Sequence, residues 1–170
     1  GSKVASITGM INHLADYPED CTGKKVVVVG GGAVGLDVVE YFAPKGAEVS
    51  IVEMMSQIGK DLDPVSKCGT NTLMREHNVN QMTETALCEV KADSFTVKVD
   101  GEEKDLPFDY GFVCLGMRAN APVLDEIREA FADTNVEIIN IGDSVRARRI
   151  IDGVQEGHNI LNVLADHEYL

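Results

Sequence analysis

The strongest constraint on the fold of this chain is a junction early in the sequence. Lys24-Lys25-Val26-Val27-Val28-Val29 is a continuous β-branched run, and it stops on Gly30-Gly31-Gly32-Ala33-Val34-Gly35. An unbroken apolar strand, as opposed to an alternating one, is expected of a parallel strand buried on both faces. From Ala33 to Pro44 the apolar residues Val34, Val38, Tyr41 and Phe42 recur at helical spacing, and Pro44 and Gly46 stop the helix. Glu48-Val49-Ser50-Ile51-Val52-Glu53 follows as a second strand, which completes a βαβ unit.

Gly30, Gly32 and Gly35 have the G-x-G-x-x-G spacing, and they lie where that spacing carries meaning, after a strand and at the opening of a helix. Gly30 permits the tight turn and Gly32 lets the backbone approach a pyrophosphate. Gly35 brings helix and strand together, while the helix N-terminus offers N–H groups and the positive end of its dipole. Glu53 ends the second strand, where a carboxylate accepts hydrogen bonds from the adenosine ribose hydroxyls. Met54-Met55-Ser56-Gln57 supplies no Arg or Lys to receive a 2′-phosphate. The pattern therefore points to a dinucleotide and to NAD(H) over NADP(H).

The rest of the chain changes rhythm twice. Residues 3–23 are weakly patterned, with a helix expected near Ile7 to Leu14 before Tyr17-Pro18-Glu19-Asp20 breaks it. Asp63-Pro64 makes an N-cap and a first-turn proline for a helix to about Glu76, closed by His77-Asn78. Ala86–Lys91, Ser94–Val99 and Glu103–Leu106 predict three short antiparallel strands, the last two joined by the turn Asp100-Gly101. Tyr110-Gly111-Phe112-Val113-Cys114-Leu115-Gly116 returns as a buried strand ending in glycine. A short helix is expected around Leu124 to Phe131, then a strand over Val136–Asp143 that stops on Gly142-Asp143. In the closing helix Ile150, Val154, Leu161 and Leu164 form an apolar stripe, with Gly157 on the same face for close packing. The expected fold class is α/β: a Rossmann-like three-layer domain with a parallel sheet and an antiparallel β-meander, plus a C-terminal strand-helix segment.

Composition narrows the function. Of 170 residues 44% are hydrophobic, enough for one full domain and part of a second. The net charge of −13 repels phosphodiester backbones and anionic membrane surfaces, so nucleic acid and membrane are not expected as partners. No apolar run reaches the roughly eighteen residues of a membrane span, and no signal-peptide pattern opens the chain, so a cytoplasmic location is expected. Gly1-Ser2 reads as a cloning remnant. Cys21, Cys68, Cys88 and Cys114 contain no Cys-x-x-Cys pair and read as reduced, half-buried small hydrophobes. His13, His77, His158 and His167 lack metal-ligand spacing, so no metal site is expected.

Two further patterns need weighing. Tyr41-x-x-x-Lys45 has the spacing of a catalytic pair of short-chain dehydrogenases, but it falls in the first helix and contains Pro44. Arg146, Arg148 and Arg149 are either a solvated face or a surface that meets phosphate on a flavin nucleotide or a partner domain.

Three segments together resemble the NAD(H)-binding domain of the pyridine nucleotide-disulfide oxidoreductase superfamily, the flavoproteins with two dinucleotide-binding domains. They are Val29-Gly30-Gly31-Gly32-Ala33-Val34-Gly35-Leu36-Asp37, the meander leading to Val113-Cys114-Leu115-Gly116, and Asn140-Ile141-Gly142-Asp143. In that superfamily the chain leaves an FAD domain, makes the NAD domain and returns. The resemblance implies a lead-in over 1–23, the NAD(H)-binding domain over 24–118 and a returning FAD-domain segment over 119–170. Leu115-Gly116-Met117-Arg118-Ala119-Asn120, and Ile141-Gly142-Asp143-Ser144-Val145-Arg146 with Ile150-Ile151-Asp152-Gly153-Val154-Gln155-Glu156-Gly157, are most similar to the C-terminal part of 2-enoate reductases, relatives of old yellow enzyme, although Ala119 stands where proline is usual. There a barrel bearing FMN precedes the FAD and NAD region, with an iron–sulfur cluster between them.

The residues expected at the cofactors are Gly30, Gly31, Gly32, Ala33, Val34, Gly35, Glu53 and Met54. The resemblance adds Asp37 near the nicotinamide, Gly116, and Gly142 with Asp143 at the FAD ribityl chain. This chain has one Gly-x-Gly-x-x-Gly motif, no barrel and no cluster-binding cysteine set. It therefore reads as part of a larger flavin-dependent oxidoreductase that passes hydride from NADH to FAD and reduces an activated C=C bond. The partners implied are NADH, the remaining FAD domain and a catalytic barrel of the same polypeptide; an uncovered C-terminal stripe would favour a homo-oligomer. Two other readings stand beside it. One is a non-catalytic NAD(H)-sensing regulatory domain. The other is a self-sufficient dehydrogenase, for which no His, Tyr–Lys or Cys offers an acid or base, so no catalytic residue is assigned.

Overall fold

The computed structural model describes residues 3–119, 121–136, 138–160 and 162. Two compact units result, Gly1–Gly116 and Met117–Leu170. The first runs β1 (Val4–Ala5), α1 (Ile7–Asn12), β2 (Lys25–Val29), α2 (Ala33–Phe42), β3 (Glu48–Val52), α3 (Pro64–Glu76), β4 (Asn80–Met82), β5 (Ala86–Val90), β6 (Ser94–Val99), β7 (Glu102–Pro107) and β8 (Tyr110–Val113).

β1, β8, β2, β3 and β4 form, in that order, a five-stranded sheet in which every pairing is parallel. β2 lies at its centre, with Val28 in register with Ile51 on one side and Phe112 on the other. Successive strand residues face opposite sides, which explains the unbroken valine run. Val26 and Val28 pack with Leu36, Val38, Val39 and Phe42 of α2. Val27 and Val29 pack instead with Phe95, Val97 and Leu106 of the antiparallel sheet β5-β6-β7. Helices, parallel sheet and meander are thus the three expected layers. Gly111 lets the last two close together, because a Cβ there would lie 2.6 Å from Phe108 Cζ and 2.8 Å from Phe95 Cζ.

Local signals placed most elements. Asp63 caps α3 by accepting from the amides of Val65 (3.0 Å) and Ser66 (3.1 Å), with Pro64 in the first turn and Asn78 left-handed beyond its end. Asp100 and Gly101 both have positive φ, the geometry of a tight hairpin turn. Two strands carry too few residues to show a period: β1, which adds an edge strand beside β8, and β4, which closes the other edge. Residues 3–23 therefore contribute more than a connection, since Met10 and Cys21 are also buried in the core.

In the second unit α4 (Ala121–Ala130) and α5 (Ile150–His158) are helical. The strand expected over Val136–Asp143 is absent among the described residues, and a single 3-10 turn forms at Gly142–Ser144. A strand must exchange backbone hydrogen bonds with a neighbour, and no described strand pairs with this segment. Ile150 and Val154 are 89% and 59% exposed; Leu161 and Leu164, the rest of the expected stripe, lie outside the described residues, as does His167. Close glycine packing occurs at Gly153, where a Cβ would lie 3.6 Å from Gly142 Cα, and not at Gly157, which has nothing within 4 Å. Helix phase alone could not distinguish the two, because what matters is which glycine meets the turn.

Candidate nucleotide site

The three motif glycines sit at the C-terminal end of β2, each in a different steric situation. Gly30 has φ 110° and its Cβ would lie 2.2 Å from the carbonyl oxygen of Cys114, so only glycine fits. Gly35, inside α2, would place a Cβ 1.9 Å from the Gly30 oxygen and 3.4 Å from Val28 Cγ1, which makes it the point where helix meets strand. Gly32 is exposed, and a Cβ there would meet nothing within 4 Å. It is also the N-cap of α2 and supplies no side-chain cap, so the first-turn amides of Ala33 and Val34 have no intrahelical acceptor. Two glycines build the loop, and the third leaves its outer face bare.

Glu53 does not simply project toward solvent. Its Oε2 accepts from the Gly31 amide at 2.6 Å and its Oε1 from the Met55 amide at 2.8 Å. Met54 beside it is 72% exposed.

At the neighbouring strand end, Cys114 is buried beneath the loop and its amide donates to the Val29 carbonyl. Burial, with the charge of Asp37 adding to it, pushes the Cys114 thiol up to about 11, so at neutral pH it is protonated and not a thiolate nucleophile. Asp37 is on α2, where loss of solvent around its carboxyl raises its pKa. Gly116 follows with φ 93° and open space around it. The structure thus brings Gly30–Gly35, Asp37, Glu53, Met54, Cys114 and Gly116 to the C-terminal ends of adjacent parallel strands, where open α/β sheets bind ligands.

Gly142 and Asp143 belong to the second unit. Gly142 has φ 71°, and its amide donates to Glu156 Oε2 at 2.5 Å. The other Glu156 oxygen pairs with the Arg148 guanidinium, and both contacts hold the Glu156 carboxyl below its ordinary value, the Gly142 amide most. Asp143 Oδ1 accepts from the Arg148 amide at 3.2 Å. Glu156, which composition and motif gave no reason to select, is what secures this turn; its only local signal is its place on the helix that follows.

The other sequence patterns resolve structurally. Lys45 Nζ lies 3.9 Å over the Tyr41 ring, and the Tyr41 hydroxyl donates to the Leu14 carbonyl, which is a packing arrangement. Of the three arginines, Arg148 pairs with Glu156 and Arg149 with Asp152. Cys21 and Cys114 are buried, whereas Cys68 and Cys88 are exposed, so the half-buried expectation fits none of them closely. Among the described residues no three His, Cys, Asp or Glu side chains converge as a metal site, and no helix is long and apolar enough to cross a membrane. A cleft of about 690 Å³ opens at the N-terminal ends of the strands, lined by Lys25, Glu48, Asn80 and Lys104 among others, away from the glycine loop.

Comparison with known proteins gives the family of the chain. The sequence profile described as pyridine nucleotide-disulphide oxidoreductase matches residues 3–143. The chain is 30% identical over 137 residues to an NADH oxidase of Thermoanaerobacter brockii, covering 81% of this chain and 21% of that protein. It is 31% identical over 168 residues to a bilirubin reductase of Mediterraneibacter gnavus, covering 96% of this chain and 25% of the relative. In fold it is similar to a 2-naphthoyl-CoA reductase (TM-score 0.71, 23% identity, 92% of this chain and 23% of the other). Histamine dehydrogenase from Rhizobium sp. 4-9 is similar too (TM-score 0.73, 16% identity, 92% and 25%). In each case the chain spans a quarter or less of the other protein's length. These relatives are oxidoreductases by name, so a purely regulatory domain is not favoured, and the family implies FAD and NAD(P)(H) as cofactors. This chain belongs to the pyridine nucleotide-disulphide oxidoreductase family.

Proposed function

We propose that this chain is the NAD(H)-binding part of a flavin-dependent oxidoreductase in which hydride passes from NADH to FAD, the longer polypeptide reducing an activated C=C bond as 2-enoate reductases do. The observation that carries the reading is the contrast among the motif glycines: Gly30 and Gly35 have no room for a Cβ, while the Gly32 position is open above the start of α2. That is the cradle a pyrophosphate needs.

In this reading Gly30–Gly35 hold the pyrophosphate and Glu53 and Met54 the adenosine end. Asp37 and Gly116 lie toward the nicotinamide. NADH supplies the hydride. Among the described residues this chain offers FAD the Gly142-Asp143 turn, and its one Gly-x-Gly-x-x-Gly motif is used for NADH, so residues 119–170 form the returning part of an FAD domain whose glycine motif lies elsewhere in the polypeptide. An iron–sulfur cluster needs several converging thiolates, which four cysteines divided between core and surface do not supply. The cluster and FMN belong to other parts of the polypeptide, including a barrel. Exposed Ile150 and Val154 are covered there by the missing part of the FAD domain, or pair between copies in isolation. The proposed setting is cytoplasmic.

Calorimetric titration tests the cofactor assignment. NADH is expected to bind more tightly than NADPH, because a 2′-phosphate would displace ribose hydrogen bonds to Glu53 and face its charge. One charge-assisted hydrogen bond is worth roughly 1.5–3 kcal/mol, on the order of ten- to a hundredfold in affinity. Equal affinities would remove Glu53 from the ribose. The isolated chain is expected to be colourless and not to oxidise NADH with an added enoate, while the full polypeptide does so.

A further inference from the structure

We propose that Glu53 is also the clasp that shapes the pyrophosphate loop, a positioning role that rests on the nucleotide reading above but is distinct from recognition of the ribose. Its two carboxylate oxygens are each engaged by a backbone amide, Gly31 at 2.6 Å and Met55 at 2.8 Å. The same stretch of loop is tied twice more: the Gly31 carbonyl accepts from the Gly59 amide at 2.7 Å and the Gly30 amide donates to the Val52 carbonyl at 2.8 Å. The connection after β3 and the glycine turn after β2 are thereby one hydrogen-bonded body, and among the bonds that join them those to Glu53 are the ones made by a charged group.

The middle residue of the motif reports the same constraint. Gly31 needs no positive φ, yet a Cβ there would lie 3.0 Å from both Glu53 Cβ and Glu53 Oε2 and 3.1 Å from Ile58 Cγ1. A side chain at Gly31 would crowd Glu53 and Ile58, which would have to give way by a few tenths of an ångström. A carboxylate oxygen has two acceptor directions, so with one on each oxygen used by an amide, the second on each remains for the ribose hydroxyls. Removing the carboxylate therefore loosens the phosphate loop as well as the ribose contact, and shortening Glu53 is not a route to an NADPH-binding domain.

The test has two arms. In the ligand-free chain, NMR amide exchange at Gly31 is expected to accelerate on the order of ten- to a hundredfold in Glu53→Ala, while Val28 and Ile51 in the core keep their protection. Glu53→Gln, with one acceptor oxygen left, falls between. In the second arm the probe is an NADH analogue lacking both adenosine ribose hydroxyls, and Glu53→Ala is expected to bind it at least about tenfold more weakly than the wild-type chain does. Gly31→Ala, which retains Glu53 but pushes its carboxylate aside, tests the contact independently should Glu53→Ala fail to fold; exchange at Met55 is expected to rise in the same way. Unchanged exchange at Gly31 with the core intact, or equal binding of the analogue to both proteins, overturns the clasp. A wild-type chain that binds no dinucleotide overturns the nucleotide reading instead, and the exchange arm still decides the clasp.

Discussion

A Cβ on Gly35 would lie 1.9 Å from the carbonyl oxygen of Gly30, so the helix that follows the glycine loop touches the loop's own backbone. The two residues are five positions apart in sequence and in direct contact in the fold, which makes the loop rigid at its base. Gly35→Ala is expected to push α2 off the strand, costing about 1–3 kcal/mol by overpacking and weakening NADH binding. Urea denaturation and calorimetry check the two effects; wild-type stability with intact binding would show that the contact relaxes freely.

At Gly32 the opposite outcome is expected. Its surroundings are open, so Gly32→Arg should leave the unfolding midpoint unchanged while abolishing dinucleotide binding by occupying the approach to the loop. A folded Gly32→Arg chain that binds NADH with wild-type affinity would place the nucleotide elsewhere.

The two sheets are held close at Gly111. Gly111→Ala is expected to destabilise by about 1–3 kcal/mol, and Phe108→Leu in the same chain should recover part of that loss by clearing the nearest ring atoms. A double-mutant cycle from denaturation curves measures the coupling; strict additivity would contradict the packing described.

Stability above pH 9 should report Cys114. Its thiol is raised from 9.0 to about 11 in the folded chain, so between those values the folded state holds a proton that the unfolded state has released. Stability is therefore complete below about pH 9 and falls as pH rises toward 11. Cys21, also pushed up by burial, contributes a slope of the same sign. Urea midpoints at pH 8 and pH 10 should diverge less in Cys114→Ala than in the wild-type chain, and least in the double Cys21→Ala, Cys114→Ala variant.

Thiol labelling separates the cysteines directly. Cys68 and Cys88 are exposed and should react in the native chain, whereas Cys21 and Cys114 should react only after denaturation. Rapid native labelling of Cys114 would show that the floor of the loop opens.

What the sequence determined alone was whatever a few neighbouring residues encode. The valine run and the glycine spacing specify β2, the turn and α2; Asp63-Pro64 and His77-Asn78 bound α3; Asp100-Gly101 sets a hairpin. Each rests on periodicity, capping or a positive φ, and all were found where expected. The tertiary structure decided everything that depends on a distant partner. Val4–Ala5 and Asn80–Met82 are strands only because β8 and β3 offer them ladders, and residues 136–143 form none among the described residues because no described strand offers one. The strand-end position of Glu53 raised the expectation of a ribose contact, whereas its bonds to Gly31 and Met55 follow from the loop folding back over it. Glu156 under Gly142 is the same case. Local chemistry selects an element, whereas the partner of a polar group depends on which backbone atoms the rest of the chain brings within about 3 Å of it.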